Sequence, residues 1–367
     1  MRFSVSKVAF VDAINTVMSA TSSRENDAYG AIQIEAHEID QLVHIRAVSY
    51  EMAMATRVAA VVESDGITMV PARVLSSVAR VTQGTEVDCE LIGQELHFGG
   101  SKSTMMCRIL SDATFPYPKI APPVEFAIID SALFKKGVQM ASTCAVKGTI
   151  LMAYAGLRVQ SKDGEVTLVG CNGGRAVRMV VGESDIPFEG ILPQKAAAVA
   201  LKLASRGENI TLSGDDNRIG FRAGDFVLHA VQLAGAYPEV ERILPKEPTT
   251  TAKVSLPELL GMVARVKAVA KSGAADLVKI NLTTEEEAVT IVCNGPLGSV
   301  RESISATVEG PLVVDVQYAW NFFADMAAFL DSEIDTVIGF VGDRANALLV
   351  QQGAWMYMAM PIVQRQH

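Results

Sequence analysis

Short runs of alternating hydrophobic and polar residues recur along this 367-residue chain, and stretches with helical spacing separate them in a regular order. From about Val124 the pattern predicts a strand (VEFAII), a helix (SALFKKGVQMASTCAV) and three strands (AGLRVQS, EVTLVGC and RAVRMVVG). The same order returns at once as FEGILP, QKAAAVALKLASR, NITLSG, NRIGFRA and FVLHAVQL. Alternation indicates half-buried strands, and i, i+4 apolar spacing indicates helices. A strand-helix-strand-strand-strand unit therefore occurs twice in this part of the chain.

The same unit is predicted four more times. Residues 1–122 contain two copies, with helices beginning at Lys7 and Ala72, and residues from Thr251 onwards contain two more, with helices at Pro257 and near YAWNFFADMAAFL. The proline-rich joins PYPKIAPP and PKEPTT lie between these blocks, and proline favours extended chain without donating to a β-ladder. Repetition at this interval predicts an α+β fold of three similar domains, each a doubled β-α-β-β-β unit. We expect their boundaries at 1–122, 123–250 and 251–367.

Composition indicates an ordinary globular protein, because 49% of the residues are hydrophobic. No run approaches the roughly 20 apolar residues of a membrane helix, and MRFSVSKVAF does not resemble a signal peptide, so we expect a cytoplasmic protein. The five cysteines are scattered and never spaced as CxxC. This pattern argues against a disulfide framework or a structural zinc site, and we predict no metal and no cofactor.

Positive charge is concentrated in the predicted helices, although the formal charge of the chain is -9. Five of the six helical segments together carry +10, which leaves -19 for the rest, whereas the sixth, residues 317–333, carries -3. Within one helix, Lys195, Lys202 and Arg206 have i, i+7, i+11 spacing and so lie nearly in line. A single basic helix exterior is common in soluble proteins, but agreement among five favours one shared cationic surface. Such a surface attracts phosphate backbones without reading bases.

Several motifs, in their order and spacing, are similar to those of one family. MVPARVLSSVARV and ILPQKAAAVALKL resemble its helix entries, GDFVLHAVQLAGAYPEVERILP resembles a strand followed by a Phe-Pro-Asp-Tyr segment and Leu-Pro, and YMAMPI resembles its terminal Met-Pro-Met. Over essentially its full length the chain resembles the β sliding clamps, the processivity subunits of bacterial DNA polymerase III. The resemblance implies a head-to-tail homodimer that forms a ring of six similar domains, with helices lining the hole and sheets outside. It also implies a non-catalytic function, in which the ring encircles duplex DNA and tethers the replicative polymerase.

By this resemblance the basic helices would face duplex DNA without sequence preference. The implied DNA-contacting residues are Arg24, Arg73, Arg80, Lys136, Lys147, Lys195, Lys202, Arg206, Lys267 and Lys271. The resemblance also implies a dimer interface that joins Met105 and Cys107 of one chain to Val269 and Ala270 of the other. Met105 and Cys107 could equally be core residues of the last strand in the first domain.

The resemblance further implies a hydrophobic pocket that receives short peptides from the polymerase, the clamp loader and repair proteins. Carried over by position, its residues are Tyr154, Cys171, Gly173, Gly174, Arg175, Ala176, Pro238, Arg242, Ile243, Met358, Met360, Pro361 and Ile362. The family's usual Thr-Asp-Gly-His-Arg-Leu reads Cys-Asn-Gly-Gly-Arg-Ala here, and the chain ends in VQRQH where many clamps end in Arg-Leu. We therefore expect an altered peptide preference. A clamp-like paralogue, a decoy or a phage-encoded clamp is the alternative.

An enzyme is the competing class of protein, and the sequence offers little for catalysis. None of the five histidines belongs to an HExxH motif or an i, i+4 pair. GGSKST at 99–104 has Gly-Ser-Lys in place of Gly-Lys-Ser and lies between two predicted strands, so it does not fit a phosphate-binding loop. We predict no catalytic residues.

Overall fold

The computed structural model describes residues 1–22, 27–100, 104–110, 114–117, 123–146, 152–242, 247–270, 279–342 and 346–362. Within these ranges the order strand, helix, strand, strand, strand occurs six times, which confirms the predicted repeat. The predicted starts of the first two helices, at Lys7 and Ala72, are also confirmed.

The elements are numbered in chain order. The first pair of units comprises β1 Arg2–Ser6, α1 Lys7–Val17, β2 Ala31–His37, β3 Leu42–Val48, β4 Met52–Ser64, β5 Gly66–Pro71, α2 Ala72–Val81, β6 Glu86–Ile92, β7 Glu95–Gly99 and β8 Thr104–Arg108. The second comprises β9 Val124–Asp130, α3 Ser131–Cys144, β10 Gly156–Lys162, β11 Gly164–Cys171, β12 Arg175–Ser184, β13 Phe188–Pro193, α4 Gln194–Ala204, β14 Asn209–Gly214, β15 Arg218–Ala223 and β16 Phe226–Val231. The third comprises β17 Thr250–Val254, α5 Leu256–Ala270, β18 Lys279–Glu285, β19 Ala288–Gly295, β20 Gly298–Glu309, β21 Val316–Ala319, α6 Trp320–Phe329, β22 Thr336–Val341, β23 Ala347–Gln352 and β24 Trp355–Ala359.

Most helices follow their strand with no intervening loop. Pro71 and Pro193 stand just before α2 and α4 in extended conformation, with ψ of 124° and 141°, so the chain turns into each helix at the next residue. At the start of α3 the carboxylate of Asp130 accepts from the backbone N–H of Ala132 and of Leu133, both at 2.9 Å. These bonds satisfy two of the four N–H groups that a helix start leaves without partners.

Residue contacts divide the chain into two compact units. The first contains Met1–Lys135, Ser161–Gly164 and Glu183–Leu233, and the second contains Lys136–Gln160, Glu165–Gly182 and Ala234–His367. The division between the two units runs through the second of the three predicted domains. The boundaries at 122 and 250 therefore remain predictions from the repeat.

The first unit contains a branched antiparallel sheet in the order β8-β7-β6-β1-β4-β16-β15-β14-β9, with β3, β2 and β5 extending from β4. The ladder between β4 and β16 aligns Met54 with Leu228 and Met52 with Ala230. β16 is the last strand of the second predicted domain, whereas β4 belongs to the first. The first predicted domain therefore shares its sheet with a strand of the second predicted domain.

The second unit repeats this arrangement. Its strands run in the order β10-β11-β12-β24-β23-β22-β17-β20-β19-β18-β21, and the ladder between β12 and β24 aligns Arg175 with Ala359 and Val177 with Tyr357. β24 is the last strand of the third predicted domain and β12 is the fourth strand of the second. In both units, therefore, the last strand of one predicted domain pairs with a strand of the preceding predicted domain.

Each helix covers its sheet with one apolar face. In α5 the fully buried residues Leu259, Met262 and Val266 have the i, i+3, i+7 spacing of a helix stripe. In α1, Phe10 and Ile14 are fully buried, and the ring of Phe3 from β1 meets Phe10 edge-on with centroids 6.0 Å apart. The opposite helix faces, which carry most of the helical Lys and Arg residues, remain at the surface.

Candidate nucleic-acid and peptide interfaces

The predicted cationic stripe on α4 lies on the surface of the first unit. Ala196, Val199 and Leu203 are buried, whereas Lys195 and Lys202 are exposed, as the helical periodicity requires. Arg73 and Arg80 of α2 are exposed in the same unit. The side chains predicted to contact DNA here are therefore accessible.

The prediction that one helix carries all three cations is wrong, because α4 ends at Ala204 and Arg206 lies two residues beyond it. The three cations are also not equally available. Arg206 donates to both carboxylate oxygens of Asp12 in α1, at 2.6 and 2.8 Å, and to Thr16 Oγ1 at 2.5 Å. Its guanidinium also lies 4.2 Å from the centroid of the Phe226 ring. The hydrogen bonding of Arg206 to Asp12 is the main reason that the pKa of the Asp12 carboxyl lies below its ordinary value. Arg206 is thus held by the fold as a structural ion pair.

Lys195 and Lys202 also differ in whether they form an ion pair. Lys195 Nζ lies 2.9 Å from Glu51 Oε2, in a pair whose side chains are both about half exposed. Lys202 has no ion pair among the residues that the structure describes. An exposed ion pair is worth little and exchanges easily, so Lys195 can still turn to a phosphate.

The second unit contributes fewer of the predicted DNA contacts. Lys267 of α5 is exposed, and Lys136 of α3 is half-buried beside a cavity of about 420 Å³ that also borders the end of α6. Arg265 of α5 pairs with Glu302 of β20. The other predicted contacts lie outside the described residues: Arg24, Lys147 and Lys271.

The predicted peptide pocket is built around the turn between β11 and β12. Asn172 Oδ1 accepts from the backbone N–H of Gly174 and of Arg175, both at 3.0 Å, and Gly173 has φ of 85°, a left-handed conformation that favours glycine. The unusual Cys-Asn-Gly-Gly-Arg-Ala sequence is therefore a tight, asparagine-stabilised turn.

The C-terminal segment joins this turn directly. Ala176 pairs with Met358 in the β12–β24 ladder, and Met360 N–H donates to Gly174 O at 2.8 Å. One residue beyond Pro361, Ile362 N–H donates to Gln317 O at 2.7 Å. The structure thus brings together two segments that lie about 185 residues apart in the sequence and that the resemblance assigns to one pocket.

A third segment of the predicted pocket follows β16. Tyr237 is buried, its hydroxyl donates to Val169 O at 3.2 Å, and its ring lies 6.4 Å from that of Tyr154. Pro238 follows and is half-buried, and Arg242 keeps 82% of its side chain exposed beside Glu239. Ile243 lies outside the described residues.

The predicted pocket residues fall into an accessible and a buried group. Tyr154, Gly174, Pro238, Met360, Pro361 and Ile362 are half-exposed, and Gly173 and Arg242 are exposed. Cys171, Ala176, Met358 and Arg175 are buried. Only the first group can touch a peptide without rearrangement.

Arg175 has partners that the sequence did not reveal. Its guanidinium pairs with Asp325 of α6, donates to Thr143 O at 2.5 Å at the end of α3, and lies 4.6 Å from the centroid of the Phe322 ring. The only advance signal was the negative charge of the sixth helix.

The predicted dimer residues occupy two places. In β8, an edge strand of the sheet of the first unit, Met105 is half-exposed and Cys107 is buried, with burial raising the pKa of its thiol to about 12. In the second unit, Val269 O accepts from Leu297 N–H at 3.4 Å, so the end of α5, including the buried Ala270, lies against the turn that leads into β20.

The residues that the structure describes show neither a metal-ligand cluster nor a membrane-spanning helix. No group of three or more His, Cys, Asp or Glu side chains is arranged to hold a metal ion there. No helix there has both the length and the apolar character needed to cross a membrane.

Comparison with known proteins gives one consistent answer. Residues 1–118 match the family model described as DNA polymerase III beta subunit, N-terminal domain. The chain is 22% identical over 332 residues to the beta sliding clamp of Escherichia coli K12, which covers 88% of this chain and 89% of that protein. Its fold matches the sliding clamp of Bacillus subtilis with a TM-score of 0.89 at 18% identity, over 100% of both chains. It matches the DNA polymerase III beta subunit of Thermotoga maritima with a TM-score of 0.86 at 19% identity, over 99% of this chain and 100% of that one. The chain is thus a divergent homologue of the bacterial β sliding clamps, with the fold of that family.

Proposed function

We propose that this protein is a DNA sliding clamp, in which two copies close head to tail into a ring around duplex DNA and tether the replicative polymerase for processive synthesis. It acts in the cytoplasm, by enclosure and attachment, with no catalytic step of its own. Support comes from homologues named as clamps, from the exposed cations on the helices, and above all from β8 and β20, each of which has a stretch of strand edge without a partner among the described strands.

The way in which the predicted domains share strands indicates what should pair with β8 and β20. The last strand of the second domain, β16, pairs with β4 of the first, and the last strand of the third domain, β24, pairs with β12 of the second. By the same rule the last strand of the first domain, β8, should pair with β20 of the third. Among the described strands β8 pairs only with β7, and β20 pairs with β19 and β17. A second copy supplies the missing partner for each, head to tail.

The ladders also give the register of this proposed pairing. Met105 pairs with Phe98 as Leu228 pairs with Phe221, so Met105 occupies the position of Leu228. Val300 pairs with Cys293 as Met54 pairs with Ala47, so Val300 occupies the position of Met54.

Because Leu228 faces Met54, Met105 of one copy should face Val300 of the other. Both side chains are half-exposed in the single chain, whereas Leu228 and Met54 are fully buried. In the same register Cys107 lies opposite Gly298, beside Val269. The interface predicted from the resemblance is therefore extended to β20.

The clamp holds DNA through weak, sequence-independent contacts. Exposed Lys202, Arg73, Arg80 and Lys267 offer phosphate contacts, and a chain with a net charge of -9 is repelled by DNA elsewhere. Such contacts permit sliding, since each can be exchanged along the backbone.

The partner-peptide pocket is the second working surface. Its half-exposed apolar wall, formed by Tyr154, Pro238, Met360, Pro361 and Ile362, suits apolar side chains of a short peptide, and methionine adapts to varied ligands. Exposed Arg242 suits an acidic residue of that peptide. The polymerase, the clamp loader and repair proteins would compete for it.

A clamp-like paralogue that binds partners without supporting bulk replication is the second candidate. The Gly-Gly-Arg-Ala sequence at 173–176, which replaces the family's Gly-His-Arg-Leu, favours it because the pocket loses two larger side chains. Loading the purified protein onto nicked circular DNA with a clamp loader separates these functions. Retention on the circle, release on linearisation and longer products from the cognate polymerase support the replicative clamp. Retention without longer products would support the paralogue, and equal loss from circular and linear DNA would exclude enclosure.

A further inference from the structure

Arg175 carries a buried charge whose two terminal nitrogens already have partners in the protein, although its buried Nε has none among the described residues. Only 7% of its side chain is exposed, yet it reaches Asp325 and Phe322 of α6 and the carbonyl of Thr143 at the end of α3. Both terminal nitrogens are engaged, Nη1 by Asp325 and Nη2 by Thr143. Guanidinium groups in the interior need such charge-assisted bonds, because an unpaired buried charge is strongly unfavourable.

The two α6 residues form one face toward Arg175. Phe322 and Asp325 are three positions apart, so they lie side by side on the helix. Asp325 supplies the negative charge, and the Phe322 ring lies under the guanidinium in cation–π geometry. Asp325, one of the three acidic residues that give residues 317–333 a charge of -3, therefore has a local role.

The same helix supports the backbone of the predicted pocket. A Cβ on Gly174 would lie 2.9 Å from the Phe322 ring, and Gly174 O accepts from Met360 N–H. The hydroxyl of buried Tyr357, in β24, donates to Phe322 O at 2.8 Å. The Gly173–Gly174 turn and the segment leading to Met360 thus rest on α6.

We propose that Asp325 and Phe322 are positioning residues of the partner-peptide pocket, and that Arg175 fixes the pocket turn from inside instead of binding the peptide. This proposal rests on the peptide-binding part of the proposed function. Arg242, with 82% of its side chain exposed, is then the arginine that meets an acidic residue of the ligand.

Whether Asp325→Asn weakens or tightens peptide binding tests the role assigned to Arg175. Asp325→Asn removes a negative charge near a site for an acidic peptide. If Arg175 were a ligand group, the mutation would release it and tighten binding, and simple Coulomb attraction would act in the same direction. If Asp325 positions the turn through Arg175, the mutation weakens binding.

The probe is a fluorescein-labelled pentapeptide, Gln-Leu-Asp-Leu-Phe, whose apolar residues suit the pocket wall and whose aspartate suits Arg242. Fluorescence polarisation on the purified protein should give a dissociation constant at least tenfold higher for Asp325→Asn than for the unmodified protein. Phe322→Leu, which keeps the ion pair and removes the aromatic ring, should shift it in the same direction by a smaller factor. Glu333→Gln removes an equal charge from an exposed position eight residues further on and should leave it unchanged.

Unchanged or tighter binding by Asp325→Asn, in a protein with an unaltered circular dichroism spectrum, overturns the proposal. If Asp325→Asn fails to fold, an unchanged affinity of Phe322→Leu overturns it in the same way. Phe322→Leu should load less efficiently, because the clamp loader uses the same pocket, but once loaded its dissociation rate from circular DNA should be unchanged, which separates a pocket effect from general damage. Failure of the unmodified protein to bind the probe would instead contradict the peptide-binding function itself.

Discussion

Arg206, two residues beyond the end of α4, donates to both carboxylate oxygens of Asp12 in α1, at 2.6 and 2.8 Å. The sequence placed Arg206 in line with Lys195 and Lys202, and it gave no sign that one of the three would be committed to another helix. The three cations of the α4 stripe should therefore respond differently to mutation.

Lys202→Ala should weaken DNA association more than Arg206→Ala does. Loss of one phosphate contact lowers the slope of log affinity against log salt by about 0.9. Arg206→Ala should instead lower the free energy of unfolding by about 1 kcal/mol, because it removes an ion pair and a cation–π contact. DNA binding by fluorescence anisotropy over a salt series, with urea unfolding in parallel, measures both effects. The reverse ranking of the two variants would show that Arg206 faces DNA.

The Asp12 ion pair should stabilise the fold only above a certain pH. Its carboxyl has a lower pKa in the folded chain than the roughly 3.9 of an unfolded chain. The contribution is therefore fully present at neutral pH and is lost as the pH falls through the folded-state value. Asp12→Asn should destabilise the protein at pH 7 by less than about 1 kcal/mol, since the pair is partly exposed, and by much less at pH 3. Urea unfolding at both pH values tests this, and an equal difference at pH 3 and pH 7 would contradict it.

The proposed β8–β20 register predicts a specific cross-link. Met106, which is 59% exposed, and Ser299, which is exposed, should face each other across two copies, because in an antiparallel ladder the residue after Met105 lies opposite the residue before Val300. The double variant Met106→Cys with Ser299→Cys should give a covalent dimer under oxidation, visible on a non-reducing gel. Met106→Cys with Ser303→Cys, four residues out of register, is the control. Efficient dimers from the control alone would exclude this register.

The native cysteines should not interfere with that experiment. All five are buried, and burial raises the pKa of the Cys107 and Cys144 thiols to about 12. Thiolate is the reactive form, so the folded protein should react with a thiol reagent at pH 8 far more slowly than the protein in 6 M guanidinium. Rapid labelling of the native protein, counted by mass spectrometry, would contradict the buried placement.

The fold was largely predictable because the chain repeats its periodicity. Strand alternation and helical spacing are local signals, and six copies reinforced one another, so the element order and the starts at Lys7 and Ala72 were confirmed. Pairing between β4 and β16 was not predictable, since it joins residues about 175 positions apart and leaves no local pattern.

The sequence predicted which residues belong to each site but not what each side chain contacts there. Resemblance placed Arg175 and Met360 in one pocket, and the structure does bring their segments together. It could not tell that Arg175 is buried against Asp325, because the partner of a buried charge is decided by packing between distant helices. The charge of residues 317–333 distinguishes this segment in the sequence, but only the structure shows that Asp325 pairs with Arg175.

Because β16 and β24 each pair with a strand of the preceding predicted domain, a cut at a predicted linker would separate paired strands. A fragment that ended at residue 122 would lose β16 and leave Met52 and Met54 of β4 without their cross-strand neighbours Ala230 and Leu228. An apolar strand edge of this kind associates readily with other chains. A recombinant fragment cut at residue 122 should therefore aggregate or swap strands.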